Sequence, residues 1–220
     1  MLAGKRTLIT GSTQGIGLAV AKHFLAHHAQ VVLTSEKPRS AVPAVEPLIR
    51  DGAHYIQADL TRDGEAEFLV GEAWLVLGGL DVVVNNLGTF REPPFYVLKK
   101  ADFDAIFTIN VWTAIAVTQS FAKRATHGGR VLFTTSLNAA RSESSHTLYD
   151  ASKGAMNSLV RQLALELAPQ GITTVGIAPG LVETPLTDFG MMSDPAAREA
   201  VIEQIPLKRI ATVDDIAPWF

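Results

Sequence analysis

The chain has 220 residues, 47% of them hydrophobic and 19% charged, with a formal net charge of −3 and no cysteine. This composition supports a sizeable core and excludes a disordered chain; it offers no basic stripe for nucleic acid and no thiolate for a disulfide or a zinc site. A first strand starting near residue 5 leaves no room for a signal peptide, and no apolar run is read as reaching the ~18 residues of a membrane span, so a soluble, cytoplasmic protein with no membrane partner is expected.

Residues 5–10 read as a short apolar strand. Gly11-Ser12-Thr13-Gln14-Gly15-Ile16-Gly17 follows at once, and helical spacing then fills 16–27. Strand, glycine-rich turn and helix in succession set the N–H groups of a helix start against a phosphate. Glycine admits positive φ and lets the backbone approach a pyrophosphate closely. The alternative is a plain glycine turn. His23 and His27 stand at i, i+4 near the end of this helix; with no third ligand they read as a solvated helix end, and no metal site is expected.

A second strand near 29–34 runs into Ser35-Glu36-Lys37. An acid directly after such a strand bonds the ribose 2′-OH of NAD and repels a 2′-phosphate. Here Ser35 takes that place, Glu36 is still within reach of the ribose, and Lys37 is available to a phosphate. NADP is therefore favoured, with NAD as the alternative. Further strands near 53–57, 80–85, 129–135 and 172–178 alternate with helical spacing over 41–51, 62–77, 98–125 and 148–168. That alternation predicts an α/β fold: a doubly wound parallel sheet, Rossmann-like, in three α/β/α layers, with ligands at the carboxyl ends of the strands. No linker or repeat divides residues 1–220, so one domain is expected.

Tyr149 and Lys153 stand at i, i+4 in the last of these helices, 13 positions after Ser136. That spacing puts a phenol and an ammonium on one helix face. A free Tyr titrates near ~10 and is a poor acid or base at neutral pH. A cation held nearby, helped by a positive cofactor ring, lowers that value. Alone the pattern is weak, since an exposed Tyr beside a solvated Lys gives the same spacing.

Taken together these features resemble the short-chain dehydrogenase/reductase family, of single-domain type, over essentially the whole chain. Thr10–Gly17 matches its cofactor turn, and Asp59-Leu60 its adenine contact. Asn85-Asn86-Leu87-Gly88 matches its Asn-Asn-Ala-Gly motif, with Leu87 as a departure. Asn110, Ser136, Tyr149 and Lys153 match the catalytic set. Pro179-Gly180, with Val182 and Thr184 downstream, matches the segment beside the nicotinamide. The resemblance implies cofactor contacts from Gly11, Thr13, Gln14, Gly15, Ile16, Gly17, Ser35, Glu36, Lys37, Asp59, Leu60, Asn86, Gly88, Tyr149, Lys153, Pro179, Gly180, Val182 and Thr184. Gln14 stands where many NADP-using relatives carry Arg.

The implied activity is hydride transfer between NADP(H) or NAD(H) and an alcohol or carbonyl. Tyr149 is the expected general acid/base, and Ser136 the donor to the substrate oxygen. Lys153 is expected to tune Tyr149 and hold the ribose, and Asn110 to hold a water linking Lys153 to solvent. A non-catalytic dinucleotide sensor or scaffold is the alternative, but it has no need to keep all four groups. Sugars, hydroxy acids, 3-oxoacyl thioesters and steroids all suit such a scaffold. Residues 183–209, with Leu186, Phe189, Met191 and Met192, match a mobile substrate loop. His146, Arg91 and Arg141 read as exposed loop residues; the alternative is a pocket-lining role for His146 and recognition of an acidic group for Arg91 and Arg141. The resemblance places a further helix and a seventh strand after Phe220, so the sixth strand is expected at an edge. A homodimer through 98–125 and 148–168 is expected, a homotetramer less so.

Overall fold

Short runs of β-branched residues between turns form six strands: β1 (Arg6–Ile9), β2 (Gln30–Ser35), β3 (His54–Gln57), β4 (Val82–Asn85), β5 (Gly129–Thr134) and β6 (Ile172–Ile177). The structure, a computed structural model, describes residues 2–188 and 194–220. The strands are all parallel, in the order β3-β2-β1-β4-β5-β6. The order reverses between β1 and β4, and at such a switch point a crevice opens beyond the strand ends.

Neighbouring side chains on a strand point to opposite faces. Leu8 and Val83 therefore enter one core, with Phe121, Phe133 and Met156, while Ile9 and Val84 enter the other, with Val20, Phe24 and Leu132. Strands apolar on both faces need cover on both sides. Helices α1 (Gly15–Ala26) and α2 (Glu46–Arg50) cover one face. Helices α3 (Glu65–Leu77), α5 (Thr113–Arg124) and α6 (Thr147–Leu167) cover the other, with α4 (Lys100–Phe107) packed against α6. The result is the expected three-layer α/β/α sandwich, with β6 at one edge.

Three helices differ from expectation. The stretch 41–51 is not one helix: two 3₁₀ turns, Arg39–Ala41 and Pro43–Val45, precede the short α2. Pro43 and Pro47 supply no N–H to an α-helical ladder. α3 starts at Glu65 rather than 62, because Gly64 before it takes φ +82°. The helix expected over 98–125 is split by a π turn, Thr108–Trp112, between α4 and α5.

A correction also concerns length. Among the described residues, Lys100–Arg124 is one continuous helical stretch long and apolar enough, by length and composition, to cross a membrane. Asn110, Thr113, Thr118 and Ser120 interrupt its apolar character but carry no charge. In the fold it serves as a layer helix. Ile106, Val117 and Phe121 are buried, and the polar residues are spent inside: Thr113 Oγ1 donates to Ile109 O (2.7 Å), and Thr118 Oγ1 accepts from Asn85 Nδ2 (3.0 Å).

Part of 183–209 is helical, α7 (Pro195–Gln204), capped by Asp194, whose Oδ1 accepts from Ala196 N at 3.0 Å. Val182 and Ala211 pair as parallel backbone at the base of this segment, and Glu183 forms an ion pair with Arg198. Leu186 is described; Phe189, Met191 and Met192 lie outside the described residues. The last helix, α8 (Val213–Ile216), is capped by Thr212 and anchored where Arg209 donates to both Asp215 oxygens (2.6 and 2.8 Å). Ala217 and Phe220 then pack against the core on the α1 side.

Candidate active site

The switch point gathers the ends of five strands around one cleft. It is lined by Gly11, Thr13, Gln14, Gly15 and Ile16 from the β1 turn, and by Ser35, Glu36 and Lys37 after β2. Asn86 to Thr89 follow β4, Thr134 to Ser136 end β5, and Tyr149 and Lys153 face in from α6. Pro179, Gly180, Val182 and Thr184 to Thr187 close the remaining side. Of the catalytic and cofactor residues expected from the sequence, Gly17, Asp59, Leu60 and Asn110 are not on this lining.

The glycine turn divides its work. Gly15 has φ +54°, and a Cβ there would meet only the Thr184 side chain at 3.5 Å. Gly17 is packed inward, where a Cβ would lie 2.4 Å from both Asn86 Nδ2 and Gly11 O. Asn86 Nδ2 donates to Gly11 O (3.0 Å) and Thr10 O (3.2 Å), so Gly17 keeps β1 and β4 in register at the turn. Gln14, the N-cap of α1, is extended and supplies no side-chain cap. The first amides of α1 are therefore left without a side-chain acceptor at the cleft, which fits a dinucleotide pyrophosphate.

At the end of β2, Ser35 Oγ donates to Glu36 Oε2 (2.8 Å) and accepts from Lys37 N (3.3 Å). Gln57 Nε2 donates to Glu36 O (2.9 Å), and Tyr55 OH to Lys37 O (2.6 Å), which fixes the loop. Asp59 turns away to Thr61, whose hydroxyl donates to its Oδ1 at 2.6 Å and holds the carboxyl below the usual range. Leu60 is buried in the core.

The chemical end is built around α6. Asn110 sits on the π turn, 1% exposed, and both its amide hydrogens are committed, to Thr89 O and to Ser152 Oγ (each 2.9 Å). Its Oδ1 accepts from Thr89 N (2.7 Å), and Ser152 Oγ donates on to Tyr149 O (2.7 Å). The Asn110 side chain thus pins the strap after β4. Ser136 Oγ accepts from Asn138 N (3.1 Å), which leaves its own proton for another acceptor.

Lys153 is buried, donates to Thr134 O (2.9 Å), and lies 5.7 Å from the centre of the Tyr149 ring. The lowered Tyr149 pKa expected from this pairing is corrected by the geometry. Burial raises the phenol above its ordinary value, Ser136 opposes that rise, and the charges of Asp150 and Glu143 add to it. Burial likewise lowers the ammonium, to about 8. Both groups are desolvated, and desolvation disfavours whichever form is charged.

His146 is another correction. It is not an exposed loop residue: its side chain is only 19% exposed, its ring packs edge-on to Phe90 (4.5 Å), and Nδ1 lies 3.2 Å from Glu143 Oε2. Arg91 and Arg141 are exposed, as expected, and away from the cleft lining. The His23 and His27 rings lie 4.3 Å apart, tilted by 40°, at the end of α1. Thr89, Thr134, Ser152 and Phe90 were not anticipated. Thr134 and Ser152 lie within two positions of Ser136 and Lys153, which is a signal in itself; Thr89 and Phe90 sit in an aperiodic strap that carries none.

The family described as enoyl-(acyl carrier protein) reductase matches residues 11–219. Glucose 1-dehydrogenase of Gluconobacter oxydans is 33% identical over 98% of this chain and 83% of its own length. The chain belongs to the short-chain dehydrogenase/reductase family. A short-chain dehydrogenase of Burkholderia cenocepacia J2315, solved in complex with NADP, aligns with a TM-score of 0.90 at 34% identity, covering 99% of this chain and 89% of that one. A 7α-hydroxysteroid dehydrogenase, solved with NADH and 7-oxo glycochenodeoxycholic acid, gives 0.88 at 31% identity, covering 98% and 85%. Membership of the family makes this chain an oxidoreductase, and the doubly wound sheet is the family's fold.

Proposed function

We propose that residues 1–220 act as one NAD(P)-binding unit that transfers a hydride between NADP(H) and a small alcohol or carbonyl, with Tyr149 as general acid/base. The observation that carries this reading is the joint placement of Ser136, Tyr149 and Lys153 at one end of the cleft whose other end is the glycine turn. When bound, the nicotinamide supplies or accepts the hydride. Tyr149 gives a proton to the carbonyl oxygen in reduction and takes it back in oxidation. Ser136 donates to that oxygen as charge grows on it. Lys153, buried beside the phenol, holds the ribose hydroxyls and, together with the positive nicotinamide ring, would favour the phenolate against the burial that raises the phenol. Asn110 keeps the strap in place and, by family likeness, carries the water that links Lys153 to solvent. Leu186, on the cleft wall, covers the substrate and excludes water. A sensor without turnover has no use for this set of four groups. A panel of sugars, hydroxy acids, 3-oxoacyl thioesters and steroids, run with both cofactors, tests the reading; no turnover with any of them would count against it.

NADP is favoured over NAD because Ser35 stands where an acid would bond the ribose 2′-OH, and Lys37 lines the same part of the cleft. Of the two solved relatives described above, one holds NADP and the other NADH. Ser35→Asp is expected to shift the ratio of kcat/KM toward NAD. The variant also places a like charge beside Glu36, which Ser35 now bonds. An unchanged ratio would show that position 35 does not face the ribose.

A cytoplasmic homodimer is the proposed form, with a tetramer as the alternative. Phe103 and Trp112 on the α4–α5 stretch and Leu165 on α6 are exposed apolar residues, Leu165 at 74%, on the helices of the expected pairing. Light scattering at micromolar concentration should give a dimer mass. A monomer would refute the pairing, and a tetramer would call for a second surface.

A further inference from the structure

Helix α6 begins without a cap of its own. His146, at its N-cap, makes no side-chain bond to the helix. The amides of the first turn are taken instead by Glu92, 56 positions before Leu148. Glu92 Oε1 accepts from Leu148 N (3.1 Å), and Oε2 from Tyr149 N (2.7 Å). A carboxylate at a helix N-terminus is favourable for both its hydrogen bonds and its charge. Capping alone, however, needs only an Asp or Ser at position 146. A cap drawn from a distant strap adds a tie between two segments.

That strap, residues 88–92, leaves β4 and is gripped at both ends. Asn110 binds Thr89 through its N–H and its carbonyl, and Glu92 binds α6. Between the two grips, the Phe90 ring stands edge-on to the Tyr149 ring, 5.3 Å away at 90°, and against His146. The side chain of a helical residue leans toward the helix N-terminus, so the phenol of Tyr149 extends over the turn that Glu92 holds.

We infer that Glu92 is a positioning residue for the reaction: it clamps the 88–92 strap to the first turn of α6, so that Phe90 fixes the Tyr149 ring toward Ser136. Glu92 touches no reacting atom and acts through Phe90 and the helix backbone. This inference rests on Tyr149 being the acid/base. A small displacement of a catalytic group lowers turnover far more than it lowers affinity for a cofactor held by the glycine turn.

The test is a double-mutant cycle of Glu92→Ala and Phe90→Ala, read in kcat, in the dissociation constant for NADPH, and in thermal stability. Glu92→Ala should lower kcat by about tenfold to ~10²-fold, the scale of an ångström-sized misplacement, with the NADPH constant unchanged. Phe90→Ala should lower kcat as well, and the double variant should fall no further than the worse single, because both act on one tie. Wild-type kcat in either single variant, or losses that multiply, would overturn the clamp. So would a loss of NADPH affinity that matches the loss of kcat. If Glu92→Ala does not fold, Glu92→Gln keeps the shape and one acceptor, and the same cycle is expected with a smaller loss. Tyr149→Phe, run alongside, separates the two failures. An active Tyr149→Phe overturns the acid/base assignment; an inactive one beside an unaffected Glu92→Ala overturns the clamp alone.

Discussion

Tyr149→Phe should abolish turnover while leaving the fold and cofactor binding intact. The ring keeps its edge-on contact with Phe90, and the helix keeps its bonds to Glu92 and Ser152, all of which reach the backbone or the ring rather than the hydroxyl. The hydroxyl goes, and with it the transferable proton and its hydrogen bond with Ser136. General acid–base catalysis contributes ~10²-fold or more, so a variant retaining above about a tenth of wild-type kcat would rule out the role. Steady-state kinetics beside an NADPH titration gives both halves of the result.

Lys153→Met should lose activity, bind cofactor more weakly, and still be the more stable protein at neutral pH. The ammonium is buried and its pKa falls from 10.5 to about 8. A shift of that size corresponds to roughly 3 kcal/mol of unfavourable burial of the charge. Loss of the bond to Thr134 O takes back ~1 kcal/mol, which leaves a net gain of about 2 kcal/mol for the methionine variant. In the unfolded chain the lysine keeps its proton up to about 10.5, whereas in the folded protein it releases it near 8. Between those values the unfolded state binds more protons, so wild-type stability rises with pH across that window relative to the variant. The cost of the charge is fully present below about 8 and gone above about 10.5. Urea unfolding of both proteins at neutral pH and near pH ~10 should show the gap closing. A methionine variant that is less stable at neutral pH, or a gap independent of pH, would contradict the account. Unchanged cofactor affinity in this variant would separate the ribose role from the catalytic one.

The strands were legible because each is a short apolar run between turn residues, and a parallel sheet demands apolar residues on both faces. Tyr149 and Lys153 were legible because i, i+4 spacing survives translation into a helix. Other features depend on partners that are distant in sequence. The π turn at Asn110 accompanies a side chain that reaches back to Thr89, and nothing in the local pattern of 98–125 marks it. Pro43 and Pro47 did carry a signal against a helix over 41–51, and it outweighs the apolar spacing there. The direction of the Tyr149 shift depends on burial. Charge pairing, which the sequence does suggest, argued for the opposite sign. Glu92 was invisible altogether, since no spacing rule connects a loop glutamate to a helix start so far along the chain.

The central claim is hydride transfer in the cleft that ends at Tyr149. The most direct measurement uses NADPH carrying deuterium at both positions of nicotinamide C4, a carbonyl that supports turnover, and mass spectrometry of the alcohol formed. The account predicts deuterium on the carbinol carbon with the wild type, and no product with Tyr149→Phe. Binding of NADPH without carbonyl-dependent oxidation across the panel, or an alcohol free of label, would contradict it.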